Sequence, residues 1–339
     1  MSTHIAPRGL PTLRQVAETA GVSLKTASRA LNDEAHVAPE TSERVKQAAA
    51  ALGYRPNLLA RDLRSHSTSN VVGMVIADAS NPFYLAIALA AGQVLAAQGL
   101  LLFTGVSDED PDAEARVISG FLERRVAGLL IVSSRTNHPQ LQQGHAERGM
   151  PTVFLDRPAR GLEVDEVLFD NVGGSRAAID HLLAQGHRRI GVIGDLGSLP
   201  THRERIAGVR RALAEARVPV DEDLFVTDAH DASGAESAMR ELLALPSPPT
   251  AVFTTNNRMA AGGLRAVADT ANPPALIGFD GLELADILGI SVVSNSPADM
   301  GTRGAEMLLE RIHGRAGRRR RVRLPTELVV RRSTATPLE

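Results

Sequence analysis

TLRQVAETAGVSLKTASRALN, residues 12–32, divides at Gly21 into two short helical patterns. Leu13, Val16, Ala17 and Ala20 recur at the three-and-four spacing that buries one side of a helix. Gly21 has the backbone freedom to stop that helix and turn sharply. Val22 then points back to the core, and Ser23 is placed to cap a second helix over 24–31. On that helix Ala27, Ala30 and Leu31 face inward, leaving Leu24, Lys25, Ser28 and Arg29 outward. A slim, donor-rich face on the second helix of a compact helix-turn-helix suits the major groove of DNA. An ordinary helical hairpin has the same pattern, so these residues alone leave both readings open.

The following residues weigh against the plain hairpin. Residues 38–52, APETSERVKQAAAAL, predict a third helix with Pro39 at its first position. Val45, Ala48, Ala49 and Leu52 form an apolar stripe able to complete a three-helix core. Gly53 ends the helix, and Pro56 disfavours helix at Arg55. Asn57 is placed to cap a short segment, LLARDLR at 58–64, too short to be a stable helix alone. Its Leu63, beside Arg61 and Arg64, fits an apolar wedge entering the minor groove.

Residues 12–64 resemble the DNA-binding headpiece and hinge of the lactose-repressor family of bacterial transcriptional regulators. The matching runs are TLRQVAETAGVS, TASRALN, ETSERVKQAAAALGYRPN and LLARDLR. The resemblance continues in order through Val72-Gly73, Asn81-Pro82-Phe83-Tyr84, Phe169-Asp170-Asn171, Gly186-His187-Arg188-Arg189-Ile190, Ile277-Gly278-Phe279-Asp280 and the LPTELVVR run at 324–331. Each motif is weak alone, but the series is specific and covers nearly the whole chain. It implies DNA contacts from Thr12, Ser23, Leu24, Lys25, Thr26, Ser28, Arg29, Asn32 and Tyr54, and from Asn57, Ala60, Leu63 and Arg64 of the hinge. Leu24 and Lys25 stand where relatives vary most and are expected to help choose the operator. Arg29 is the expected guanine reader, because its fork of donors matches two acceptors on the base edge. Lys25 suits a base or a phosphate equally.

Composition agrees. The 339 residues suffice for about two ordinary domains and a small one. Cysteine is absent, so no disulfide framework or thiolate zinc site exists. The first residues do not read as a secretory signal, and no apolar run is long enough to span a bilayer. Residues 1–66 hold nine Lys and Arg against six Asp and Glu, whereas the remainder holds 28 against 33. A basic head on an acidic body concentrates phosphate attraction at the helix-turn-helix.

From Asn70 onward, short β-branched runs alternate with Ala- and Leu-rich helices. Buried parallel strands are predicted at 71–77, 100–106, 128–134 and 151–156, with helices at 84–97 and 114–124. A second series places strands at 189–195, 224–229, 250–256 and 275–280, and helices at 174–185, 204–216, 233–245 and 259–268. The fold class is therefore α/β, a helix-turn-helix headpiece followed by two doubly wound parallel sheets with a crevice outside the strands' carboxyl ends. The resemblance adds that these form two lobes of the periplasmic-binding-protein type, crossed near Asn171, Pro297 and Arg323. The expected domains are a headpiece at 1–56, a hinge and linker at 57–69, and an effector-binding and dimerisation domain at 70–339. Within the last, one lobe spans about 70–170 and 298–322, the other about 171–297 and 323–333.

This topology selects polar strand-end residues as ligand contacts: Asp78 and Asn81, Asp156, Arg205, Asn256 and Asp280. Carboxylates and amides suit hydroxyls, and Arg clamps a ring oxygen, a carboxylate or a phosphate. Strand-end Asp and Asn also commonly cap the next helix. The resemblance places Asp156, Arg205, Asn256 and Asp280 at effector-contacting positions. Phe83, Tyr84 and Phe169 are candidates to stack on a ring, though Phe is usually core. Asn257 replaces an Asp common in the family, and the run from Ser294 to Pro297 replaces one that usually carries Gln.

Other features carry less. The basic run RAGRRRRVR at 315–323 is expected to be a solvated loop between a helix and the strand-like LPTELVV. His181 and His187 lie off a common face and read as structural rather than metal-binding. Gly191, Gly194 and Gly197 imitate a phosphate loop without the Lys that nucleotides require. No nucleophile elbow or triad spacing is present, and neither enzyme nor cofactor is expected. The expected protein is a cytoplasmic, nucleoid-associated regulator, most simply a repressor. It would bind a near-palindromic operator as a homodimer under control of a small polar effector: sugar, sugar phosphate or nucleobase. With no leucine heptad tail, a dimer is expected rather than a tail-linked tetramer. A solute-binding protein with the same two lobes is the alternative, and a sugar or nucleoside hydrolase a more distant one.

Overall fold

A computed structural model describes residues 11–32, 34, 36–54, 69–134, 138–315 and 317–334, the side chains of 144–148 excepted. The chain divides into two compact units, 1–69 and 70–339.

The first unit holds α1 (Leu13–Ala20), α2 (Leu24–Leu31) and α3 (Pro39–Leu52). Thr12 caps α1 reciprocally with Gln15, whose side chain accepts from the Thr12 N–H at 2.8 Å. Gly21 takes φ 64°, a left-handed backbone that costs glycine little, and Val22 N–H closes the turn onto Ala17 O at 3.0 Å. Ser23 accepts from Thr26 N–H at 3.1 Å to start α2. Val16, Ala17, Ala20, Ala27, Ala30, Val45, Ala48 and Ala49 are the buried core, and Leu13, Val22, Leu31 and Tyr54 pack on its edge. Alanines let the three helices approach closely, so two valines fill most of the centre. Leu52, predicted for that core, is 37% exposed because it sits on the last turn of α3, past the end of the apolar contact.

The second unit contains two six-stranded sheets of the same design. The first runs β11-β5-β4-β3-β1-β2 and the second β12-β10-β9-β8-β6-β7. Their strands are β1 (Val71–Ile76), β2 (Leu101–Val106), β3 (Gly128–Ile131), β4 (Thr152–Leu155), β5 (Asp165–Phe169) and β11 (Arg321–Leu324) in one, and β6 (Ile190–Ile193), β7 (Phe225–Val226), β8 (Ala251–Thr254), β9 (Ala275–Phe279), β10 (Ser291–Ser294) and β12 (Glu327–Val329) in the other. Every pairing is parallel except β10 with β12. Successive strand residues serve opposite faces: Leu130 of β3 joins one apolar cluster, Leu129 and Ile131 the other. Equal strand order gives each lobe a switch point at its first strand in sequence, β1 or β6, where a crevice opens.

Several details depart from expectation. β2 is parallel but not buried: Leu101 and Phe103 are 51% and 52% exposed, because β2 is an edge strand. β5, β10 and β11 are not among the strands expected from the sequence. β5 begins with Asp165 and Glu166, both fully buried, and acids are depleted in strands. The basic run supplies their counter-charges: its second half is β11, not a loop. Arg311 and Arg320 donate to both Asp165 oxygens at 2.7 to 3.0 Å, and Arg321 pairs with Glu166. Burial raises the Asp165 pKa, but the Arg311 and Arg320 hydrogen bonds outweigh it and hold the carboxyl below its ordinary value. Since β11 continues to Leu324 in the first sheet, the third crossing falls at Pro325–Thr326 rather than Arg323. His181 bonds Thr334 and His187 bonds Thr250, each a tie between local elements.

Candidate functional site

On the headpiece, Ser23, Leu24 and Lys25 are exposed, and Thr26, Ser28, Arg29 and Asn32 are half-buried along the same helix. Thr12 is exposed at the start of α1. The Ser23 hydroxyl caps α2 and lies 2.8 Å from the Thr26 hydroxyl, so both are anchored at the helix start. Arg29 pairs loosely with Glu34 at 3.4 Å and keeps most of its donors free for a new acceptor. Tyr54 packs against the headpiece core. Asn57, Ala60, Leu63 and Arg64 lie outside the described residues.

In the body, the crevice collects the carboxyl ends of the strands of both lobes. Asp156 follows β4 and Asp280 follows β9, equivalent strands of the two sheets, and both take a left-handed backbone, φ 64° and 65°. A non-glycine residue there is strained, and such strain clusters at ligand sites. Asp78 and Asp195 stand two residues past the equivalent strands β1 and β6 in the same matched way. The cleft is lined by Asp78, Asn81, Phe83, Tyr84, Asp156, Arg205, Asn256 and Asp280, all singled out above, with Glu109, Arg157, Asp195, Thr201, His230 and Arg258 added.

Arg205 is brought to the floor by the helix Pro200–Glu215. That helix lies close against Asn171–Ala184 because Gly208 has no Cβ; one would sit 2.4 Å from Val172 O. Arg205 donates through Nε to Asn171 at 2.9 Å and through both terminal nitrogens to Asp280, at 2.9 and 3.1 Å. It also donates to Thr255 O and lies 3.8 Å from the Phe279 ring centroid. Four of its five N–H groups are thus engaged within the protein, and one Nη2 hydrogen remains for a ligand. Asn295, from the unusual crossover run, adds a 2.7 Å hydrogen bond to Asp280. Across the cleft Arg157 holds Glu109 bidentately at 2.6 and 2.7 Å and donates to Ser133 O and to the Tyr84 hydroxyl. Burial pushes that hydroxyl's pKa up, so it stays protonated.

The remaining residues combine capping with lining. Asn256 caps the helix Asn257–Val267 through Met259 N–H and donates to Asp195 at 2.7 Å. Phe83 and Tyr84 line the cleft edge to face, 5.2 Å apart. Phe169 does not reach it: its β5 position faces the core, where it is fully buried 6.1 Å from Phe83. Glu109, Arg157, Asp195, Thr201, His230 and Arg258 are not among the contacts expected from the sequence, although Arg157 and Arg258 directly follow Asp156 and Asn257.

Two contacts join the lobes over the cleft. Asn257 donates to Asn81 Oδ1 at 2.9 Å, and Arg258 pairs with Asp78 at 2.9 Å. The Asn81 oxygen also accepts from Phe83 N–H at 3.1 Å, so its amide is oriented by its own helix. A cavity of about 30 Å³ remains inside.

Asp156 is 4% exposed, and its Oδ1 has no hydrogen-bond partner among the described residues. Burial lifts its pKa from 3.8 to about 6, with Arg157 and Arg205 opposing and Asp280 and Glu109 adding to the rise. The folded carboxyl therefore holds its proton at pH values where the unfolded one has released it, and stability falls as pH rises from 3.8 to about 6. Asp156→Asn is expected to remove this penalty, stabilising the body at pH 8 by about 2 to 3 kcal/mol. The gain should vanish near pH 4. Urea midpoints across pH check it, and a difference independent of pH would overturn it.

A polar crevice between two lobes of equal topology, together with a helix-turn-helix module, defines a ligand-responsive DNA-binding regulator. Residues 12–57 match the bacterial regulatory proteins of the lacI family, and residues 69–331 match the periplasmic binding proteins and sugar binding domain of the LacI family. The HTH-type transcriptional regulator CelR of Thermobifida fusca is 34% identical over 342 residues, covering 96% of this chain and 99% of that protein. A solved CelR–cellobiose complex is 32% identical with a TM-score of 0.70, covering 95% of this chain and 99% of that one. A Lac repressor dimer bound to operator and the anti-inducer ONPF is 25% identical with a TM-score of 0.83, over 96% and 99% of the two chains. The chain belongs to the LacI family of bacterial regulatory proteins. It is a DNA-binding transcriptional regulator, not an enzyme, and among the described residues no helix is long and apolar enough to cross a membrane.

Proposed function

We propose that the protein is a cytoplasmic, nucleoid-associated repressor that binds a near-palindromic operator as a homodimer and is controlled by a small polar effector in the cleft. The capped α1–Gly21–α2 unit with Leu24, Lys25 and Arg29 outward carries this reading. On it, residues 1–56 are the headpiece, 57–69 the hinge and linker, and 70–339 the effector-binding and dimerisation domain. Each α2 enters a major groove, and Leu63 from paired hinges wedges the central minor groove. Exposed Leu85, Leu89, Leu101 and Phe103 on the first lobe support self-association. A ligand with different affinity for two lobe arrangements shifts the population that grips DNA.

A gel shift with DNA upstream of the protein's own gene tests this. Binding is expected at one sequence, with Arg29→Ala costing about 1 to 3 kcal/mol of specific affinity and much less on random DNA. Equal losses on both would make Arg29 a phosphate contact, and no sequence-selective binding by the unaltered protein would overturn the repressor reading.

A further inference from the structure

The cleft is rich in charge, yet each of its arginines already has a carboxylate partner that offsets its charge. Arg157 is neutralised by Glu109, Arg205 by Asp280 and Arg258 by Asp78, each at 3.1 Å or less. Two carboxylates are left over. Asp195 is held by Asn256 and by Leu196 N–H at 2.7 Å each, and Asp156 faces no cation closer than Arg157 Nε at 3.8 Å. The lining thus carries five acids against three guanidinium groups, an excess of negative charge.

Three polar atoms of the lining are buried without a hydrogen bond, Asp78 Oδ2 and two on adjoining residues. Asp156 Oδ1 is an open acceptor, and Arg157 Nε is an open donor on the adjoining residue, 2% exposed. An acceptor and a donor side by side match a hydroxyl, which gives one hydrogen bond and takes another. A carboxylate or a fully ionised phosphate monoester has only acceptors in its charged group. It would satisfy Arg157 Nε but face Asp156 oxygen against oxygen, within a few ångströms of further carboxylates.

We propose that Glu109 and Asp78 are selectivity residues which, by neutralising Arg157 and Arg258, bar anionic ligands, so that the cleft takes an uncharged, hydroxyl-rich compound and not its phosphorylated or carboxylated form. The proposal rests on the reading of the cleft as the effector site. It narrows the sugar, sugar phosphate and nucleobase classes to those with hydroxyls and no net negative charge. Glu109 is the stronger determinant, since its pair with Arg157 is buried. The Asp78–Arg258 pair lies nearer the rim, where Arg258 remains 30% exposed.

Inorganic phosphate and glucose 6-phosphate, each titrated calorimetrically into the full chain, test the proposal, with Glu109→Gln and Asp78→Asn alongside. The unaltered protein is expected to bind neither anion at millimolar concentration. Each variant exposes one guanidinium and is expected to gain phosphate affinity by about tenfold or more, as one charge at close range would give. If Glu109→Gln fails to fold, as circular dichroism would reveal, Asp78→Asn decides alone. Submillimolar phosphate binding by the unaltered protein overturns the proposal, and so does a folded variant pair that gains none. Failure of the regulator reading shows separately, as absence of sequence-selective binding in the gel shift.

Discussion

Arg205→Ala is expected to cost the body about 3 to 5 kcal/mol, the usual result of stripping one partner from a buried ion pair. Asp280 would keep only Asn295, Asn171 would lose its donor, and the Phe279 face would lose the guanidinium above it. Because Asp280 closes β9 and Asn171 opens the second lobe, the damage reaches the cleft floor and not a single ligand contact. Effector response should disappear along with stability. Arg205→Lys restores the charge without the planar fork and should recover only part of the loss. Urea unfolding of the full chain measures this. A variant as stable as the parent but deaf to effector would show that Arg205 serves the ligand alone.

Val45→Asp should have the other large effect, confined to the headpiece. Among the described residues, Val16 and Val45, both fully buried, are the only buried members of that core larger than alanine. An unpaired carboxylate there costs several kcal/mol, against a total stability of about 5 to 15 kcal/mol for ordinary domains and less for one this small. Operator binding should be lost entirely, while the thermal transition of the body stays within about a degree of the parent, since each unit is compact in itself. Retained operator affinity would mean that the three helices do not depend on this core.

The headpiece was legible in the sequence because its determinants are local. A cap, a left-handed glycine and a three-and-four stripe all fall within a few residues of each other. Strands β5 and β11 were not legible, because Asp165 and Arg320 explain one another only when a fold brings them together across 155 positions. Read singly, DEVLF looks too acidic for a buried strand, and RAGRRRRVR too basic for anything but solvent. The cleft fell between these cases. Strand ends pointed to Asp156 and Asp280, but the rule has a resolution of about one residue, so Arg157 and Arg258 slipped past it. Phe169 was misplaced because period-two alternation within β5 decides its face, and the strand itself had not been recognised.

The Asn81–Asn257 and Asp78–Arg258 pairs have a kinetic consequence. Both pairs bridge the lobes over a cavity of about 30 Å³, so a sugar-sized compound is expected to enter only when they part. Exchange therefore waits on lobe separation, a motion of roughly microseconds to milliseconds, instead of on diffusion. The concentration at which the regulator responds is its intrinsic dissociation constant divided by the fraction of molecules that are open. On the proposed function, two side-chain contacts in the body would thus tune the threshold of a genetic switch.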